Sequence, residues 1–562
     1  MKNNNRPHRT LAALLAVTFF PLAAQAADPI APSAGTILQE VKPATPPVPS
    51  SAGTGLTIEK EGGAKLPPSA PFLVKELRIT GNEKIDTKTL HALVAEGEGK
   101  TLTLEQLGDL AGRITDYYHS HGYPLARAII PAQTIRDGVV IIQVIEASYG
   151  KVRLENGSKV DTPLLEETLS PLQGGQVIHQ REMDEALLLL SDVPGIVVNA
   201  TLKPGEAVGT SDLVVNATPG PALSGNVSLD NYGNRYTGRV RVGGTVNFIN
   251  PLRHGDVLSL SGLTSGGNLN YGRAGYEWLL NGKGTRLGGS YSSLRYILGD
   301  TFASLNSHGT AEVESLWAKH PLVRRTDLNL YGKVQYDRMK LRDHTDTTAI
   351  WTDRTLTNWM VSLSGDERDA FLAGGITTWS VGWTSGHVGF DDEAARLADA
   401  ATARTDGGFS KWNVTLARLQ GLSPKNTLYF AFTGQWANDN LDSSQKMVVG
   451  GPYTVRAYDM AAISGDSGYT GTLEFRRDLG SAWSSQWQVV AFVDSARITV
   501  NQTTWAAGTN SATLSGAGVG LNWEGPRQWR GKLYIASRTG SSPELVGNTD
   551  SSRGWIEIGR SF

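Results

Sequence analysis

The sequence predicts a mainly β protein: a C-terminal transmembrane β-barrel of about 16 strands, preceded by two small α/β modules and a short N-terminal amphipathic helix. Three observations predict it. The chain opens on an export signal and holds no later run of about 18 apolar residues, so a barrel is the remaining way for it to cross a membrane. From residue 222 to the end, about 340 residues alternate apolar with polar and carry no long helical period. Between signal and barrel, a β-α-α-β-β pattern of about 75 residues occurs twice.

Composition narrows the chemistry. The 562 residues are 40% hydrophobic, too apolar for a disordered chain and too many for one compact domain. Lys plus Arg is 52 and Asp plus Glu is 54, so the formal charge of -2 gives no field for gathering phosphates, and no nucleic-acid partner is expected. With no cysteine, disulfides, thiolate metal sites and a cysteine nucleophile are excluded. Gly 64 beside Trp 14 and Tyr 17 suits short strands, turns and interfacial rings.

In chain order, residues 1–26 read as a signal peptide: Lys2, Arg6 and Arg9, an apolar stretch over 11–24 broken by Pro21, then Ala24-Gln25-Ala26. Residues 27–70 are rich in Pro, Gly, Ser and Ala and read as linker. Within it Ala34, Ile37, Leu38 and Val41 fall at i, i+3, i+4 and i+7 behind Ser33 as N-cap, a helix over about 33–42 that Pro43 stops. The first module, 71–147, has a strand at 72–79, a capping box at Thr103 and Gln106, and a stripe of Leu107, Leu110, Ile114 and Tyr117 or Tyr118. Its last strands are expected at 126–130 and 139–146, with a turn at Arg136-Asp137-Gly138. The second module, 148–220, repeats the order with strands at 151–154, 196–202 and 212–217 and helices from Asp161-Thr162-Pro163 and over 182–190. Each module offers a strand edge to which an extended polypeptide could add.

The barrel fills 221–562. Leu223, Gly225, Val227 and Leu229 alternate with Ser224, Asn226, Ser228 and Asp230, and 328–337 and 428–436 repeat the pattern. One face suits lipid and the other a wet lumen. The chain closes on Ile556-Glu-Ile558-Gly-Arg560-Ser-Phe562, which resembles the terminal signal read by the barrel-assembly machinery of the outer membrane.

Several motifs carry a more specific resemblance. Gly122-Tyr123, Ile130-Pro131-Ala-Gln133 and Asp137-Gly138 look like the signature of a first POTRA module. Val193-Pro194-Gly195, Pro204-Gly205 and Gly209-Thr210-Ser211-Asp212 look like a second. Leu229-Asp230-Asn231-Tyr232-Gly233 and Tyr236-Thr237-Gly238 resemble the start of the barrel. Most specific, 450–458 ends in Val455-Arg456-Ala457-Tyr458, similar to the tip of a loop that folds back into the pore, and Phe492-Val493-Asp494 is similar to its Phe-x-Asp partner on the wall. With Trp487, Val489, Ala491 and Val493 on the lipid face, Phe492 and Asp494 face the lumen, where Asp494 could pair with Arg456.

Together these features resemble the TpsB transporters of two-partner secretion, the haemolysin and filamentous haemagglutinin secretion family. The resemblance implies an outer-membrane pore with its POTRA modules in the periplasm and 33–42 as a plug helix in the lumen. It implies a secreted TpsA exoprotein of β-helical type, captured by its N-terminal secretion domain and passed outward without nucleotide hydrolysis. Where the family's loop motif has Val-Arg-Gly, this chain has Ala457; alanine permits close approach but disfavours positive φ.

Enzyme readings are weak. Gly465-Asp466-Ser467-Gly468 copies the surroundings of a protease serine but sits in turn sequence without a readable His and Asp pair. His119 and His121 point to different helix faces, and no zinc, P-loop or Rossmann fingerprint is present, so no catalytic residue, cofactor or metal is expected. The rivals are a barrel-assembly factor of the same superfamily and, from another class, a porin or outer-membrane hydrolase.

Overall fold

The computed structural model describes residues 31–41, 48–59, 67–547 and 549–562. The signal peptide expected over 1–26 lies outside the described residues, as do linker residues 42–47 and 60–66.

Helix α1 (Ala34–Val41) and strand β1 (Leu56–Ile58) precede the first module. That module comprises β2 (Phe72–Leu73), β3 (Glu76–Thr80), α2 (Thr87–Ala92), β4 (Thr101–Leu102), α3 (Leu104–Ser120), β5 (Arg127–Ile129) and β6 (Val139–Ile145). The single strand expected over 72–79 is two strands with different partners: β2 pairs with β4, and β3 runs parallel to β6. The break has a cause. Val74 turns fully into the core, while Lys75 and Glu76 both donate to the carbonyl of Gly138. The capping box at Thr103 and Gln106 forms, and Leu107, Leu110, Ile114 and Tyr118 of α3 pack on Leu77, Ile79, Val140, Ile142 and Val144.

The second module repeats the topology with β7 (Ser148–Asn156), α4 (Thr162–Leu169), α5 (Gln180–Ser191), β8 (Ile196–Pro204) and β9 (Thr210–Pro219). β7 lies parallel to β9 and β8 antiparallel to it, over a core of Leu164, Leu165, Leu187, Leu190, Leu213 and Val215. The sheet order is β1-β8-β9-β7, so part of the linker is a strand of this module.

The barrel begins with β10 (Leu223–Asp230), β11 (Arg241–Ile249), β12 (Val257–Thr264), β13 (Leu269–Leu279) and β14 (Arg286–Ile297). Longer strands follow: β15 (Ser307–Arg324), β16 (Leu328–Thr345), β17 (Ile350–Asp369), β18 (Gly375–Phe390), helix α6 (Glu393–Ala400) in a loop, and β19 (Gly407–Ser423). After β20 (Asn426–Ala437) a long loop carries the hairpin β21 (Met447–Val449) and β22 (Ile463–Gly465). The wall ends with β23 (Ser467–Ala482), β24 (Ser485–Thr499), β25 (Ser511–Glu524), β26 (Trp529–Arg538) and β27 (Ser552–Ser561). Sixteen strands close it, each antiparallel to its neighbours.

β10 meets β27 from Asn226 opposite Ser561 to Asp230 opposite Glu557, and Gly225 and Phe562 exchange two further backbone hydrogen bonds. Val227, Leu229, Val334, Phe430 and Trp436 are exposed on the outer wall, the phase that the alternation predicts for lipid. The second module docks on the inner-mouth turns. Arg324 of β15, fully buried, forks onto Asp192 at the end of α5 at 2.7 and 2.8 Å, and the backbone NH of Gly282 donates to Glu167. The two modules touch where the backbone NH of Gln180 donates to the carbonyl of Gly122 and Tyr123 meets His179 edge to face.

Candidate functional site

Among the described residues, the loop between β20 and β23 and helix α1 lie in the lumen. The loop must reverse tightly at its tip, and Gly450 and Gly451 supply φ of +110° and +99°. A Cβ on Gly450 would lie 2.3 Å from the carbonyl oxygen of Asp459. Val455, Ala457 and Tyr458 are buried against Val490, Phe492, Ala496, Ile498, Leu514 and Ala536 of the wall. Ala457 is not among the residues with positive φ, which is why alanine can stand there. Its methyl sits over Gly516 of β25, whose own Cβ would come within 2.4 Å of it.

Arg456 is 3% exposed, so its guanidinium must be paired or the loop could not hold it there. Its Nε and Nη2 donate to the two oxygens of Asp494 at 2.8 and 2.7 Å, and its backbone NH to Asp494 at 3.1 Å. Nη1 donates to Glu474 at 2.6 Å, and the guanidinium lies 3.4 Å from the centre of the Phe492 ring. Thr472 donates to Asp494, Arg476 forks onto Glu474, and the indole NH of Trp555 donates to the carbonyl of Arg456. Two arginines thus alternate with two carboxylates, leaving no buried net charge. Phe492 and Asp494 point inward while Val489 and Val493 are exposed outward.

α1 lies inside the barrel beside β14, β15, β16 and β21. Ala34, Ile37 and Leu38 are buried among Tyr236, Leu269, Leu294, Tyr296, Val313, Leu341 and Leu441, and Val41 packs on the margin of this cluster. The NH of Ala34 donates to Asp343 at 2.6 Å, and Ser33 to Ser443 at 2.7 Å. Gly35 lies so close to the loop that a Cβ would fall 2.4 Å from the backbone nitrogen of Ser444. Arg354 joins the two lumenal elements, donating to Asp343 at 2.7 Å and to Asp442 of the loop.

Glu40 of α1 lies beside the 231–240 loop, outside the spanning strands, and its carboxylate accepts from Asn234 at 3.0 Å. Burial pushes its carboxyl from the ordinary 4.5 up to about 8, against the opposing pull of that hydrogen bond and of Arg241, which is itself paired with Asp230.

Sequence reasoning missed Glu474, Trp555 and the inward glycines Gly516, Gly518 and Gly520, which make room for Ala457, Phe492 and Tyr534. The signals were present: Thr472, Glu474 and Arg476 share one strand phase, and the glycines alternate over 516–520. The protease-like run is structural. Asp466 accepts from the NH groups of Leu441 and Gln502 and pairs with Lys446, while the Ser467 hydroxyl accepts from the NH of Ala437. His119 and His121 each meet a backbone carbonyl instead of each other.

A closed sixteen-strand barrel with paired α/β modules at its inner mouth and an arginine-tipped loop in its lumen defines an outer-membrane β-barrel transporter. The chain belongs to the haemolysin secretion/activation protein family ShlB/FhaC/HecB, whose model matches residues 209–523; a ShlB-type POTRA domain matches 72–147. Members of this family are the TpsB transporters, which work with exoprotein partners. The heme/hemopexin transporter protein HuxB of Haemophilus influenzae is 26% identical over 94% of this chain and 92% of its own. The outer membrane transporter CdiB of Escherichia coli is 24% identical over 79% of this chain and 77% of its own. The solved structure of Escherichia coli CdiB shares the fold, with a TM-score of 0.69 at 21% identity over 93% of this chain and 95% of that one.

Three outcomes are expected. Arg456→Ala should lower barrel stability in detergent denaturation by about 3–5 kcal/mol by orphaning Asp494 while Glu474 keeps Arg476, with Arg456→Ala/Asp494→Ala costing less than the sum of the single changes. Gly516→Ala should loosen the loop tip, read as new protease cleavage within 450–462, and Ala457→Gly should restore much of the protection. The seating of α1 should depend on pH through Glu40. With a seated pKa above the released one, seating is strongest below 4.5 and is lost as pH rises toward about 8, so channel openings in planar bilayers should increase over that window and Glu40→Gln should flatten the response.

Proposed function

We propose that this protein is the outer-membrane pore that recognises one large β-helical TpsA exoprotein by its N-terminal secretion domain and secretes it. The single observation that carries this reading is a closed sixteen-strand barrel whose lumen holds a short helix from outside the wall. Eight residues seated by a few apolar side chains and single hydrogen bonds form a stopper that can leave. The two modules, with exposed strand edges, receive the unfolded cargo in the periplasm. α1 then vacates the lumen while Arg456, held by Asp494 and Glu474, keeps the loop positioned against the wall. Folding of the β-helix outside prevents return, so no nucleotide is hydrolysed. The barrel-assembly machinery inserts the protein itself, reading β27.

Conductance and secretion together test the reading. Wild type in planar bilayers should give small, flickering currents, and a version lacking 33–42 large, steady ones. Arg456→Ala should secrete exoprotein at less than a tenth of the wild-type level at equal barrel abundance. Equal currents with and without α1 would move the reading to a barrel-assembly factor, and full secretion by Arg456→Ala would remove the latch from the mechanism.

A further inference from the structure

The wall closes on its shortest ladder. β10 pairs with β27 only from Asn226 to Asp230, whereas β26 pairs with β27 from Trp529 to Ser537 and β16 with β17 from Leu328 to Thr345. Beyond Asp230 the chain leaves the sheet, and the outer half of β27, residues 552–556, has no strand from β10 beside it. Backbone groups along that stretch need other partners. Asn231 serves as one: its side-chain amide donates to the carbonyl of Gly554, and its side-chain oxygen accepts from the NH of Ile556, both at 2.9 Å.

The remaining fastenings come from the tip of the pore loop. Trp555 of β27, 2% exposed, donates through its indole NH to the carbonyl of Arg456 at 2.7 Å. Its ring stands edge-on to Tyr232, just after β10, and Tyr232 stands edge-on to Tyr453 of the loop. Met460, also of the loop, packs into the same cluster. Asp459 repeats the arrangement in charge. Its carboxylate accepts from Arg239, on the segment after β10, at 2.9 Å and from Arg553 of β27 at 2.7 Å. The two sides of the seam thus present like charges that repel unless a carboxylate lies between them, and the loop places one there. The side chains of Asp459 and Arg553 are 14% and 12% exposed, so water screens this pair little, and the other carboxylate on Arg553, Asp550, is largely solvated.

We propose that the tip of the pore loop is the clasp of the barrel seam, and that Asp459 is the positioning residue that spans it. Arg456 anchors the tip to β23 and β24 through Glu474 and Asp494 while its carbonyl holds β27, and Asp459 then draws the segment after β10 to the same point. The tip is in this sense part of the wall. It cannot swing out of the lumen without unfastening the shortest ladder, so a chain crossing the barrel passes beside a loop that stays seated, and the seam remains shut toward lipid.

Backbone hydrogen exchange in the purified full-length protein tests this with no exoprotein present. Asp459→Ala should speed exchange at least tenfold over 223–230 and 552–561 and leave 328–345 as in wild type, since only the seam loses a fastening. Asp459→Glu should stay close to wild type. Arg239→Ala, which removes one arm at a part-exposed position, should speed the same two segments by about threefold. The natural absence of cysteine permits a rescue: Asn226→Cys with Ser561→Cys, which face each other across the seam, should on oxidation return Asp459→Ala to slow exchange over 223–230 and lose that effect on reduction. Unchanged exchange at the seam in both Asp459→Ala and Arg239→Ala would overturn the proposal. So would equal acceleration over 328–345, which would make Asp459 a general stabiliser of the barrel, or an oxidised pair that restores nothing.

Discussion

No strand of the wall has a free edge. Lipid offers backbone groups no hydrogen-bonding partner, so the first strand must find the last, and the pairing of β10 with β27, finished by Gly225 and Phe562, meets that requirement. Everything inside follows from closure at sixteen strands. A ring of that size encloses far more space than its own side chains fill, so the lumen either stays wet or is occupied by other parts of the chain. Here it takes a loop and a helix, and the chemistry holding each differs.

The loop is held by buried charge. Arg456, Asp494, Glu474 and Arg476 alternate in sign, and removing any one leaves the group with an uncompensated charge, which for Arg456 is the loss of the only guanidinium on Asp494 among the described residues. The helix is held by three buried apolar side chains and a few hydrogen bonds, each individually weak. Within the same lumen, one element is thus costly to dislodge and the other cheap. That division suits a passage in which the positioning element must persist through opening while the obstruction departs.

Much of this was legible in the sequence because period-2 alternation reports which wall faces lipid. It placed Phe492 and Asp494 inside from the side chains around them, and the i, i+3, i+4, i+7 stripe, read as a helix over about 33–42, falls on α1 at 34–41. What escaped was set by tertiary contact. Strand phase turns Glu474 inward, but its choice as the second acceptor for Arg456 depends on a partner eighteen positions away on a different element. β1 is too short to carry a period, and its pairing depends on the edge that β8 happens to present. The strand over 72–79 divides because Val74 is drawn into the core, a choice invisible to alternation alone. At Ala457 the departure from the family's glycine is accommodated by Gly516 across the lumen wall, so the two positions are intelligible only together.

Arg354 has a thermodynamic meaning beyond its hydrogen bonds. It touches Asp343, which accepts from the first turn of α1, and Asp442, at the base of the loop. One side chain therefore belongs to the binding site of both lumenal elements, and their occupancies are linked. By reciprocity, whatever factor the seated loop adds to the affinity of the helix, the seated helix returns to the loop. In the proposed opening, departure of the helix would leave the loop in a shallower well, still held at its tip but freer at its base, and the pore would be most compliant when the passage is clear.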